Sequence, residues 1–155
     1  MNDIIGDWYS RRLKEMSEPS LSVADVKAET YRFVWLSELD RWMSLRLTIA
    51  PDRTAELVTK KSSRYRRSEF GPLAINKRTQ ISQRETEILL ELLEQTNFWD
   101  LASYALPSGF DGDQWIVEGV RDGKYHVVER WSGRELRDWV LLLMEKSGAD
   151  LQPID

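Results

Sequence analysis

From Tyr31 to Ser62 the apolar residues recur every second position, in three consecutive runs joined by short turns. In YRFVWLS, Tyr31, Phe33 and Trp35 share one side, and Arg32, Val34 and Leu36 share the other. Successive side chains of a strand point to opposite faces, so two partly apolar faces describe a central strand covered on both sides. WMSLRLTI sets Trp42, Ser44, Arg46 and Thr48 against Met43, Leu45, Leu47 and Ile49. The ELDR and PDRT stretches read as turns, and AELVTKKSS as a third strand. RYRRSEFGP reads as an exposed loop or strand end, and PLAINKRTQI as a fourth extended segment, weakened by Pro72 and Asn76.

Helical periodicity brackets these strands. Ile4, Ile5, Trp8, Leu13 and Met16 predict a helix over 1–18, stopped by Pro19. The clearest helix is predicted over 82–97. Ser82 and Glu85 form an S-x-x-E capping box there, ahead of an apolar stripe at Ile88, Leu89, Leu92 and Leu93. Ser132 and Glu135 repeat the box before Leu136, Trp139, Val140 and Leu143, predicting a helix over 132–147 that Gly148 stops. The order predicts one α+β domain over 1–155. A mostly antiparallel sheet of about six strands, four of them within 30–82, is packed by two to three helices.

The densest stretch is DGDQWIVEGVRDGKYHVVERWS, residues 111–132, predicted as a hairpin over 114–131. Two registers compete. A two-residue Asp122-Gly123 turn pairs Val120 with Tyr125, but mixes Glu118 and Glu129 with Ile116 and Val127 on one face. A three-residue loop with a bulge at Gly123 gathers Trp115, Val117, Tyr125, Val127 and Trp131 instead. A one-residue slip exchanges the faces, and the cleaner apolar face favours the bulged register. That register sets His126 opposite Glu118, with Arg130 on the same face.

This stretch resembles a group of small, functionally uncharacterised bacterial proteins that share a motif like D-G-x-x-W-I-x-E-G-x-x-D-G-x-Y-H-x-V-x-R-W-S-P. The likeness extends to YRFVWL and to the segment ending in FWDL, covering residues 30–145. Gly133 stands where the motif has Pro, which touches the helix start rather than a site. The resemblance implies a bacterial α+β domain and supplies no activity or ligand.

Composition restricts the chemistry. With no cysteine, disulfides, thiol catalysis and thiolate metal sites are excluded. His126 is the only histidine, and no P-loop, G-x-G-x-x-G, H-E-x-x-H or G-x-S-x-G motif occurs. No catalytic residue, metal-ligand set or cofactor is predicted. Asp111 and Asp113 lack the further acidic ligands of a calcium loop, and Glu118 and Glu129 fall on opposite faces in the bulged register. The N-terminus lacks the basic start and long apolar core of a signal peptide, and no run is long enough for a membrane span. A cytoplasmic protein without membrane contact is expected.

Net charge is −4, yet Arg53 to Arg84 holds nine basic and two acidic residues, which leaves −11 on the remainder. Three function classes follow. The leading expectation is a non-enzymatic protein-binding module, of the kind that serves as a bacterial immunity or inhibitor protein. It rests on an acidic balance, seven tryptophans and no catalytic constellation. The second is a small-ligand binder or enzyme using Glu118, His126 and Arg130, with Arg32 or Arg46 beside them. The third is anion or nucleic-acid binding through Lys60, Lys61, Arg64, Tyr65, Arg66 and Arg67, ranked last because the chain is acidic. The sequence names no partner and no oligomeric state.

Overall fold

Six strands form one antiparallel sheet in the computed structural model, with three helices laid on its faces. Residues 3–22, 28–36, 42–62, 73–104, 114–130 and 134–149 are described, with side chains from Tyr9 onward in the first helix. The strands are β1 (Thr30–Leu36), β2 (Trp42–Ile49), β3 (Ala55–Ser62), β4 (Leu73–Ile81), β5 (Gln114–Arg121) and β6 (Lys124–Arg130). Their spatial order is β4-β3-β2-β1-β5-β6. β1 is central and buried at every position, as its doubly apolar alternation predicts. β4 and β6 are the edges, and β4, with its polar residues, is the most exposed strand.

The helices are α1 (Asp3–Glu15), α2 (Gln83–Gln95) and α3 (Arg137–Ser147). At α2 the capping box forms as predicted: Ser82 Oγ accepts from the Glu85 backbone, and the Glu85 carboxylate accepts from the Ser82 backbone. At α3 the Ser132 half of the second box falls outside the described residues. A 3₁₀ turn at Arg134–Leu136 comes first, Leu136 is the N-cap, and no side chain caps it. Glu135 reaches Arg130 at 3.4 Å. Gly148 ends α3 with φ of 64°, a left-handed conformation that glycine adopts without a Cβ clash.

One face of the sheet carries the main core. Tyr31, Phe33, Trp35, Leu45, Leu47, Leu57, Trp115, Val117 and Val128 pack there against Leu89 and Leu93 of α2 and Trp139, Val140 and Leu143 of α3. Ile88 departs from the predicted stripe and is 44% exposed. The opposite face has a smaller apolar cluster, in which Tyr9 and Leu13 of α1 and Met16, just after it, meet Val34, Leu36, Trp42, Ile116 and Val127.

The hairpin closes in the register that the sequence disfavoured. Val120 pairs with Tyr125 and Arg121 with Lys124, across a two-residue turn. Asp122 and Gly123 have φ of 53° and 75°, the left-handed pair required by the tight turn whose twist matches the strands. No bulge forms at Gly123. His126 therefore faces Gly119, and Glu118 faces Val127.

Candidate functional site

The register change divides the predicted Glu118–His126–Arg130 face in two. Glu118 is on the α1 side of the sheet with Arg32 and Arg46. His126 and Arg130 are on the other side. The physical reason is that Glu118 does not need solvent. It is 2% exposed and fully partnered. Its Oε2 accepts from Arg32 Nε at 2.9 Å, Arg32 Nη2 at 2.7 Å and the Tyr9 hydroxyl at 2.5 Å, and its Oε1 accepts from the Tyr125 hydroxyl at 2.7 Å. The two-residue register thus puts a carboxylate on a partly apolar face at little cost, because charge-assisted hydrogen bonds replace its water.

Strand pairing explains the rest of the cluster. Glu118, Arg32 and Arg46 are lateral neighbours on β5, β1 and β2. Directly opposed arginines repel, and an anion between them removes the conflict. Glu18 supplies it. Its Oε1 lies 3.0 Å from Arg46 Nε and 3.5 Å from Arg32 Nη1, and its Oε2 accepts from Lys60 Nζ at 2.6 Å. Ser44 Oγ also donates to Oε1, at 3.4 Å. Lys60 and Arg32 further donate to the backbone carbonyls of Ser17 and Pro19, so the cluster ties the segment after α1 to the sheet.

The local backbone aims Glu18 into place. The Glu18 N–H bonds the Leu13 carbonyl at 2.8 Å and the Ser17 N–H bonds the Lys14 carbonyl at 3.0 Å. This is a Schellman ending with Ser17 at φ of 56°, in the position glycine usually takes. Burial alone would raise the Glu18 pKa. The Lys60 hydrogen bond and the charges of Arg46, Arg32 and Lys60 outweigh it and hold the carboxyl below its ordinary value. Burial, followed by the Glu118 charge, pushes the Tyr9 and Tyr125 hydroxyls up. Both remain protonated donors.

His126 has a packing role. Its ring lies 5.1 Å from Phe98 and its Nε2 is 2.9 Å from the Leu101 carbonyl oxygen. Phe98 belongs to a 3₁₀ turn at Phe98–Asp100 that crosses Gly119. A Cβ on Gly119 would stand 2.7 Å from Phe98 Cε1 and 3.0 Å from the Tyr31 ring. Further on, the Ser103 carbonyl accepts from the Glu129 N–H at 2.7 Å, covering part of the β6 edge. Glu129, on the Glu118 side, is raised by burial and partly offset by its hydrogen bond from Gln114.

The basic segment splits as well. Lys60 is 7% exposed and bound to Glu18, so it does not belong to a solvent patch. Lys61 lies on the opposite side of β3 and is half-buried. Arg64, Tyr65, Arg66, Arg67, Asp111 and Asp113 lie outside the described residues. Among the described residues no three acidic or histidine side chains converge as metal ligands, and no helix is long and apolar enough to cross a membrane.

Sequence reasoning placed Arg32, Arg46 and Glu118 together but missed Glu18, Tyr9, Tyr125, Ser44 and the burial of Lys60. The available signal was the pair of charged residues inside otherwise apolar alternations, at Arg32 and Glu118, which demands a partner from elsewhere in the chain. No family model matches this sequence, and a comparison with curated proteins gives no match.

Proposed function

We propose that this chain is a non-enzymatic protein-binding module of the inhibitor or immunity type, which occludes a basic surface of another protein. The observation that carries the reading is the outer side of α2. Glu87 and Glu91 are exposed one turn apart and have no ion-pair partner among the described residues; Arg84, one turn earlier, is not bridged to Glu87. Ile88 stands exposed beside them, and Glu94 extends the acidic side towards Arg121, 2.7 Å away. Like charges four residues apart weaken a helix by about 0.2–0.5 kcal/mol. An exposed isoleucine contributes little to folding. A basic partner with an apolar centre would offset both features, giving an aliphatic anchor inside a complementary charged rim.

The converging polar groups inside the fold support binding over catalysis, because they are engaged with one another. The alternative through Glu118, His126 and Arg130 loses support with those residues on opposite faces. The anion or nucleic-acid reading of residues 60–67 loses Lys60 to Glu18.

The test is affinity capture from the source organism with tagged wild-type protein, His126→Ala and the triple variant Glu87→Lys/Ile88→Ser/Glu91→Lys. The expected result is one stoichiometric protein with a basic surface, retained by wild type and His126→Ala and lost by the triple variant at unchanged Tm. Retention by the triple variant, or no stoichiometric protein with wild type, overturns the reading.

A further inference from the structure

Among the described side chains, basic groups around α1 outnumber the acids they face. Arg11 and Lys14 stand one turn apart on the helix and have no ion-pair partner among the described residues. With Ser10, Leu13, Glu18 and Ser20 they line an open groove of about 510 Å³. Beneath it, Glu18 is backed by Arg32, Arg46 and Lys60, and Arg32 also holds Glu118. Among the described side chains five cations therefore face two carboxylates, a local excess of three positive charges in a chain of net charge −4. The nearby Arg12–Glu15 pair is neutral. A cleft with an excess of one sign focuses its field on the space it encloses.

We propose that this groove binds a small organic phosphate, with Arg11 and Lys14 on the phosphate oxygens and the Ser10 and Ser20 hydroxyls as further donors. The excess charge suits a dianion better than a carboxylate. The Ser20 hydroxyl is 3.0 Å from that of Ser22 and can accept from it while donating to a ligand. The groove is larger than inorganic phosphate, leaving room for an organic group against Leu13 and the alkyl stems of Arg11 and Lys14. The buried cations already hold one oxyanion, the Glu18 carboxylate, whose charge also limits the field in the groove. This site is separate from the α2 surface and does not depend on it.

The test is calorimetric titration of phenyl phosphate into the full-length protein at fixed ionic strength, with benzoate as the monoanionic control. Saturable one-to-one binding is expected. Arg11→Gln/Lys14→Gln should weaken it by about tenfold or more, and Lys124→Gln, at the start of β6 and on the α2/α3 side of the sheet, should leave it unchanged. Glu18→Gln removes the only acid among the described residues that line the groove and should tighten it. No saturable heat, equal binding of benzoate, or undiminished binding by Arg11→Gln/Lys14→Gln overturns the proposal. The two α1 residues are not core side chains, so their variant decides the question even if Glu18→Gln does not fold.

Discussion

The two faces of the sheet solve burial in different ways. The α2/α3 side fills its volume with aromatic and aliphatic side chains and, among the described residues, buries one charged group, Arg130, leaving the indole N–H groups of Trp115 and Trp139 without a hydrogen-bond partner among the described residues. The α1 side has a smaller apolar cluster and buries Glu18, Arg32, Glu118 and Lys60 beside it. Its carboxylate oxygens are all engaged. Apolar packing tolerates exchange among similar shapes, whereas a buried ion cluster tolerates the loss of no single member. The first face supplies bulk stability. The second fixes one position for α1 and the segment behind it.

The contrast is broken most severely at β1. Arg32→Met should cost about 3–5 kcal/mol in urea unfolding, because it strands Glu118 and part of the Glu18 site. Leu45→Met, on the next strand and the opposite face, should cost less than about 1.5 kcal/mol. Similar losses for both would erase the distinction between the faces. Gly119→Ala should cost about 1–3 kcal/mol by pressing a methyl against Phe98 and Tyr31, and a paired Phe98→Leu change should recover part of the loss.

These residues also mark where the fold was legible. Period-two alternation in β1 and β2 and the Ser82–Glu85 box were local signals, and they produced the elements expected. The hairpin register was not local. It was weighed by the cleanest apolar face, and that rule fails when a buried carboxylate is satisfied by Tyr9, 109 residues away, and Arg32, 86 residues away. The same blindness left Glu18 unnoticed and Lys60 assigned to a solvent patch. The Ser132–Glu135 pattern lies half outside the described residues, and its Glu135 carboxylate meets Arg130 at 3.4 Å.

Acid sharpens the comparison from the solvent side. The Glu18 pKa is lowered in the folded chain, so its contribution is complete above the unfolded value and lost as pH falls through the folded one. Unfolding followed from pH 7 to pH 2 should show that loss in wild type, and a smaller one in Glu18→Gln. Glu129 works in the opposite sense, since its folded value is raised and its protonation favours the fold as pH falls. Identical acid dependence of wild type and Glu18→Gln would remove Glu18 from the account. The smallest effect is expected at Ser17→Gly. It relieves a left-handed serine and should change stability by about 1 kcal/mol or less in the favourable direction, without moving Glu18.

The most direct measurement is a double-mutant cycle on Arg32 and Glu118, with urea unfolding of wild type, Arg32→Met, Glu118→Met and the double variant. A closed structural ion cluster predicts two severe single losses and a double variant far milder than their sum, with a coupling of about 2 kcal/mol or more. Small and additive single losses would contradict it, and would return these residues to the search for a working site.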